Sequence, residues 1–385
     1  MKKILLVDDD VVVRTLYRRK LEQGGFEVGP AEDGLQAIQK LGTGTFLPDL
    51  VMLDLMMPKL SGESVLRFIR SHPQLAKLPV VILTNAFMSE QAQMVGDLGV
   101  TRAIIKTECT PDKMLEIAYQ ILGVTPPPPA SSPTATPPST GSLEPAGEQF
   151  LATTGSQIND LRDLGQEFKA DPESATRSGI LAELYSQVHH LTAAAGLAGC
   201  RHLALMAGAL EALLFDLGER PQWINSSTAR TVAAAVEFLI VLFEDARTVR
   251  RAETWTGEVL VVDDDPLANR IAQAALQRAK LNVRTAENPV LALGLLAQTH
   301  FDLFLLDIEM PQLNGYDLCR KIRCLPGYEN TPVIYISAHS DFESRAKSIV
   351  AGGNDLIAKP ILPIELAVKA VTHLIRGRLA TPPPP

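Results

Sequence analysis

The sequence predicts two doubly wound α/β domains, each a five-stranded parallel (βα)5 sheet, with an all-α four-helix bundle between them. Three observations carry this: a long internal repeat, apolar runs that each end in an acidic or hydroxyl residue, and a strand-free stretch between the repeats.

The repeat begins where Ile4-Leu-Leu-Val-Asp-Asp-Asp10 returns as Val259-Leu-Val-Val-Asp-Asp-Asp265. Pro48-Asp-Leu-Val-Met-Leu-Asp-Leu-Met-Met-Pro58 then matches Phe301-Asp-Leu-Phe-Leu-Leu-Asp-Ile-Glu-Met-Pro311, and Pro79-Val-Val-Ile-Leu-Thr84 matches Pro332-Val-Ile-Tyr-Ile-Ser337. Ile104-Ile-Lys106 matches Ile357-Ala-Lys359, and from Asp54, Thr84 and Lys106 to Asp307, Ser337 and Lys359 the offset is constant at 253. Two homologous domains are therefore expected, over residues 1–123 and 253–378. Within each, continuous Val/Ile/Leu runs suit strands buried on both faces, and stretches such as Val65 to Ile69 or Leu291 to Leu296 have the helical period of crossovers.

Between the copies, residues 124–148 are rich in Pro, Ser and Thr and hold too few large apolar side chains to bury anything, as expected of an extended linker. Residues 149–252 then read as four helices, near 150–170, 175–197, 200–217 and 226–248. Leu181, Leu184, Val188, Leu191 and Ala195 recur at spacings of three and four, giving the second helix one core-facing stripe. Residues 379–385 form a proline-rich tail.

Composition narrows the function. A net charge of -8 disfavours a sequence-independent grip on nucleic acid or anionic membrane, so protein partners are expected. Cys109, Cys200, Cys319 and Cys324 make no CxxC pair and no ligand-spaced set with the seven histidines, which argues against a zinc motif or disulfide framework and fits a cytoplasmic location. The run Ile4 to Val7 is too short for a signal-peptide core. Val232 to Phe243, interrupted by Glu237, is too short to span a bilayer, so no membrane insertion is expected.

Parallel sheets of this kind do their chemistry at the carboxyl ends of the strands, where Asp8, Asp9, Asp54, Thr84 and Lys106 converge in one copy, and Asp263, Asp264, Asp307, Ser337 and Lys359 in the other. Singly, an aspartate there is often a helix cap or turn residue; five such residues in order, twice, need another account. Clustered carboxylates repel unless a hard cation joins them, and Mg2+ takes oxygen ligands while keeping waters that a phosphate can replace. One carboxylate beside such a cation suits attack on a phosphoryl group to form an acyl phosphate, with the hydroxyl of Thr84 or Ser337 drawn to the new phosphoryl oxygens. Asp10 and Asp265 are expected to face solvent at the start of a helix.

Both copies resemble, over nearly their whole length, the receiver domain of two-component response regulators. The resemblance implies Asp54 and Asp307 as phosphoacceptors and Asp8, Asp9, Asp263 and Asp264 as acidic pairs holding Mg2+. The backbone carbonyls of Met56 and Glu309 would complete the metal shell, Thr84 and Ser337 act as switch hydroxyls, and Lys106 and Lys359 contact phosphate. The first copy departs from the family with Lys106-Thr107 where the second keeps Lys359-Pro360, and Ala103 and Leu356 stand where a switch aromatic is usual.

In the middle segment, Val188-His-His-Leu-Thr-Ala-Ala-Ala-Gly-Leu-Ala-Gly199 places two histidines on opposite flanks of the apolar stripe, where both can reach solvent. A bland reading makes them exposed helix residues beside an alanine-rich packing surface. The segment also resembles a histidine phosphotransfer domain, with His189 at the phosphorylated position and with Thr192 and Ala193 replacing the usual lysine and glycine. No glycine-rich ATP loop of a kinase and no basic helix-turn-helix is present, so phosphate is expected from a separate histidine kinase, with possible Asp-His-Asp relay and output by protein contact. The rivals are a phosphorylation-controlled scaffold with a non-transferring bundle, and a phosphate sink.

Overall fold

In the computed structural model, residues 1–57, 60–85, 87, 95, 97–125, 155–170, 174–248, 257–338 and 350–380 are described. The linker expected at 124–148 lies outside these from residue 126 onward, as does the tail from residue 381.

The first repeat builds its sheet from five short strands: β1 (Lys3–Val7), β2 (Glu27–Ala31), β3 (Leu50–Asp54), β4 (Val80–Thr84) and β5 (Arg102–Ile105). All pair in parallel in the order β2-β1-β3-β4-β5, and every residue of β3 and β4 is buried, as a sheet covered on both faces requires. The crossovers include α1 (Val11–Gln23), α2 (Gly34–Gly42) and α3 (Gly62–Ser71), and α4 (Pro111–Leu122) follows β5. Each starts at a side-chain cap that accepts an otherwise unpaired amide: Asp10, Asp33, Ser61 and Thr110.

Four helices come next: α5 (Gly155–Lys169), α6 (Ser174–Leu197), α7 (Arg201–Glu219) and α8 (Ser226–Thr248). The stripe Leu181, Leu184, Val188, Leu191 and Ala195 is buried throughout, and so are Leu210, Leu213 and Leu217 of α7 and Val232, Val236, Leu239 and Phe243 of α8. The helical region fits a helix bundle. Apolar helix continues on α8 from Ser226 to Ala246, beyond the Val232 to Phe243 run, so by length and composition this helix could cross a membrane; 72% of its most apolar window is buried against protein.

The second repeat builds the same sheet with β6 (Glu258–Val262), β7 (Asn282–Ala286), β8 (Leu303–Asp307), β9 (Val333–Ser337) and β10 (Asp355–Ala358), ordered β10-β9-β8-β6-β7. Its helices are α9 (Pro266–Arg278), α10 (Pro289–Leu296), α11 (Gly315–Arg323) and α12 (Pro363–Ala380), the first three capped by Asp265, Asn288 and Asn314.

The described chain forms two compact units. One joins the first α/β repeat to His189–Ala204: Ala193 is a buried member of that repeat's core, with Leu197 packed against it. The other joins Ser156–Val188 and the rest of the helices to the second repeat. Inside it, α12 packs on α8 through a buried acid, since Ser227 Oγ and Thr231 Oγ1 both donate to Glu365 Oε1, at 2.7 and 2.8 Å. On the same helix Lys369 Nζ donates to both oxygens of Asp355 at 2.8 Å, and His373 lies 3.3 Å from Asp355 Oδ2. Burial works against ionisation of Asp355, but His373 and Lys369 outweigh it and hold its pKa well below the usual carboxylate value.

A depressed native pKa stabilises the fold above the unfolded value near 3.8 and ceases to do so as pH falls toward the native pKa. Asp355→Asn should therefore lower stability by about 2 kcal/mol at neutral pH, with the difference from wild type narrowing below about pH 4 in denaturant titrations. Gly62 and Gly315 open α3 and α11 against the ends of β3 and β8, where an added Cβ would lie 2.1 Å from the Asp54 carbonyl oxygen and 2.2 Å from that of Asp307. Because backbone cannot yield as a side-chain tip can, Gly62→Ala and Gly315→Ala should each lower stability by about 2 kcal/mol or more in the same titrations.

Candidate functional site

Strand register brings the predicted residues of the first repeat to one edge. Val7 of β1 pairs with Leu53 of β3, so Asp8, Asp9 and Asp54 emerge side by side, while Thr84 and Ile105 end β4 and β5 in register. Asp8 and Asp54 are buried, and Lys106 Nζ reaches Asp54 Oδ2 at 2.5 Å and Asp8 Oδ2 at 3.2 Å. Asp54 Oδ1 accepts from the Met56 amide at 3.0 Å, and Asp8 Oδ1 from the Asp10 amide at 3.0 Å. The Thr84 hydroxyl is buried and donates to the Asn85 carbonyl at 3.2 Å.

Burial dominates the electrostatics. It pushes the Asp8 carboxyl up to about 7, with Lys106 opposing the rise and Asp54 adding to it. Burial disfavours charge on Lys106 too, but the facing Asp54 and Asp8 outweigh it and hold its pKa well above the usual lysine value. One ammonium thus faces three carboxylates, and the buried Asp8 Oδ2 has an ion pair with Lys106 but no hydrogen bond. A divalent cation would remove that imbalance.

The second repeat assembles the same set. Lys359 Nζ lies 3.0 Å from Asp307 Oδ2 and 3.1 Å from Asp263 Oδ2, and the Glu309 amide donates to Asp307 Oδ1 at 3.4 Å. Ser337 is buried at the end of β9, in register with Ala358 of β10. Oxygens of Asp263, Asp264 and Asp307 all lie within 4.8 Å of one another, a donor set that fits a hard, oxygen-seeking ion such as Mg2+. Burial raises the pKa of Asp307, with Lys359 opposing it.

The copies diverge at their lysines. Lys106 opens a single 3-10 turn, Lys106–Glu108, whereas the Lys359-Pro360 bond is cis. The side chain of Lys106 is 8% exposed and that of Lys359 31%.

Two expectations need correction. His189 does not reach solvent: its side chain is 3% exposed, and Nε2 sits 3.3 Å from Asp9 Oδ1, inside the first repeat's acidic edge. Burial works against Asp9 ionisation, but the neighbouring His189 imidazole and Lys106 outweigh it, and its pKa is lowered. His190 behaves as expected, 51% exposed, yet its Nδ1 lies 2.8 Å from Asp10 Oδ2. Asp10 is accordingly buried rather than solvent-facing. Burial raises its pKa, but His190 and the Val13 amide prevail and bring it to about 2. Asp265, in the second copy, is exposed and only caps α9. Helical periodicity located the histidines relative to their own helix, and a second element decided which one is covered.

Sequence reasoning passed over Gly62 and Gly315, which stand one repeat apart and let α3 and α11 approach Asp54 and Asp307. The repeat alignment holds the signal, because glycine comes directly after a capping residue, Ser61 or Asn314, in both copies.

Comparison with known proteins agrees with this geometry. The family model described as "Response regulator receiver domain" matches residues 4–119 and 259–371. The chain is 34% identical over 115 residues to Protein PilG of Pseudomonas aeruginosa, covering 29% of this chain and 85% of that one. It is 36% identical over 103 residues to the signal transduction histidine-protein kinase BarA of Escherichia coli, covering 27% of this chain and 11% of BarA. It is also 31% identical over 122 residues to Protein RcaC of Microchaete diplosiphon, covering 32% of this chain but only 19% of RcaC. Among solved structures, chemotaxis response regulator CheY4 of Vibrio cholerae aligns at 25% identity with a TM-score of 0.30, covering 31% of this chain and 99% of CheY4. With both repeats matched, over more than half of its residues, the chain belongs to the response regulator receiver family.

Proposed function

We propose that the chain is a phosphorelay component in which Asp54 and Asp307 accept phosphoryl groups from a separate histidine kinase, and in which His189, on a segment resembling a histidine phosphotransfer domain, exchanges a phosphoryl group with Asp54. One observation carries the reading: a ring nitrogen of His189 and carboxylate oxygens of Asp9 and Asp54 lie within 4.8 Å of one another. A phosphorus bonded to one oxygen at about 1.7 Å and approached in line from about 3.0–3.5 Å needs a donor-to-acceptor span of roughly 5 Å.

The residues divide the work. An Asp54 oxygen attacks phosphorus of the kinase phosphohistidine; the P–N bond breaks, and its electron pair stays on the departing imidazole. Lys106, held protonated by its acidic neighbours, balances charge at the phosphoryl oxygens. Thr84 turns its hydroxyl from the Asn85 carbonyl to one of those oxygens. In the exchange step the lone pair of a His189 ring nitrogen attacks phosphorus, the O–P bond breaks, and the carboxylate regenerated on Asp54 returns to Lys106. Asp9, Asp54 and the Met56 carbonyl beside Asp8, and Asp264, Asp307 and the Glu309 carbonyl beside Asp263, would hold Mg2+, which would supply further charge neutralisation. In the second copy Asp307, Ser337 and Lys359 take the corresponding parts. The chain is a phosphoacceptor rather than a turnover enzyme, and its output passes through protein contacts.

The packing of Ala193 in the first receiver's core favours a second reading, a scaffold in which residues 189–204 only hold the receiver and no phosphohistidine forms. A phosphate sink is the third.

Phosphoryl labelling of the full chain by acetyl phosphate with Mg2+ separates them. The relay predicts an alkali-stable, acid-labile label that is lost in His189→Gln and in Asp54→Ala but kept in Asp307→Ala. Label confined to Asp54 and Asp307 sinks the relay and leaves the scaffold, or the sink if one receiver loses its label much faster than the other.

A further inference from the structure

The two acidic edges descend from one repeat, yet they differ in one donor. The second offers three carboxylates, Asp263, Asp264 and Asp307; the first offers Asp9, Asp54 and an imidazole, His189. We propose that the first receiver carries a site for an imidazole-accepting divalent transition metal, of the Zn2+, Co2+ or Ni2+ class, ligated by Asp9, Asp54 and His189, and that this ion pins residues 189–204 to the receiver.

Geometry supports the assignment. Nitrogen and oxygen ligands at about 2.0–2.1 Å in a tetrahedral shell stand about 3.4 Å apart. His189 Nε2 and Asp9 Oδ1 already stand 3.3 Å apart, and the third donor lies within 4.8 Å of both. The imidazole is also held in place. Ala193, one turn on, is buried in the receiver core, and the neighbouring His190 is tied to Asp10 at 2.8 Å. Lys106 opposes a cation, but it contacts Asp8 as well as Asp54, so it keeps a carboxylate when Asp54 turns to the metal.

Chemistry sets the preference. Mg2+ seeks oxygen and gains little from a nitrogen ligand, whereas Zn2+, Co2+ and Ni2+ bind imidazole strongly and accept carboxylates beside it. The all-oxygen edge of the second receiver has no such bias. A transition ion would occupy the same ring lone pair that attacks phosphorus, so it would silence His189 while Mg2+ leaves it free. Only this last consequence rests on the phosphorelay reading; the metal site does not.

Co2+ titration of the full chain without phosphodonor tests the site, read by visible absorption and calorimetry. Wild type should bind one Co2+ tightly, with ligand-field bands that millimolar-range Mg2+ does not abolish. His189→Gln and Asp9→Asn should each weaken that event by about tenfold or more, whereas His72→Gln, remote in sequence on the α3 side, should leave it unchanged. Equal affinity and an identical spectrum in His189→Gln overturn the proposal. If circular dichroism shows that His189→Gln does not fold, nitrogen NMR of the histidine-labelled wild type decides: one equivalent of Zn2+ must shift the His189-assigned ring nitrogen, and an unmoved resonance overturns the proposal.

Discussion

Everything at the working edge of each receiver depends on crowding three carboxylates where, among the described residues, one lysine answers them. A buried carboxylate with no partner costs several kcal/mol, so the neighbouring backbone is arranged to donate. The amides of Met56 and Asp10 point at Asp54 and Asp8, and those of Glu309 and Asp265 point at Asp307 and Asp263. Parallel strands make this possible because adjacent strands end at the same edge in register. What remains is a deficit of positive charge, which an oxygen-seeking divalent cation would fill.

Duplication has left one architecture in two electrostatic settings. In the first copy Lys106 is nearly enclosed and the acidic edge has been extended by two histidines, His189 on Asp9 and His190 on Asp10. In the second, Lys359 is a third exposed, Asp265 faces solvent, and the helix after the last strand, α12, is committed to α8 by Glu365. Each receiver is thus joined to helical residues, but at different places: the first at its chemistry, the second through its last helix. Asp54 offers a ligand atom within 4.8 Å of one of His189, whereas Glu365 follows Lys359 by six residues in sequence.

The sheet, its strand ends and both sets of acids were legible because they are written locally and written twice. A five-residue apolar run with an acid at its end needs no distant information, and the second copy checks the first. The helices were legible too, to within a few residues, from stripes such as Leu181 to Ala195. Illegible were the residues whose environment comes from elsewhere in the chain. Nothing near His189 or Asp10 announces that they lie against one another's neighbours. Glu365 reads as an ordinary first-turn acid, and the hydroxyls of Ser227 and Thr231 that donate to it once it is buried come from a distant stretch of sequence. Gly62 and Gly315 were readable from the alignment of the repeats, but a glycine that permits backbone approach has no chemistry of its own to draw attention.

His189 concentrates the consequences. Its Nε2 sits 3.3 Å from Asp9 Oδ1, and the neighbouring imidazole helps to lower the pKa of Asp9 against the effect of burial. A cation held by the acidic edge would compete with His189 for Asp9. In the proposed relay, loading of that edge and freeing of the imidazole would then be coupled, and the identity of the cation would decide what the ring nitrogen meets. An oxygen-seeking ion would take Asp9 and leave the nitrogen; an imidazole-seeking ion would take both. The side chains proposed to hold charge for phosphoryl transfer would thus also set the surroundings of the group proposed to receive it.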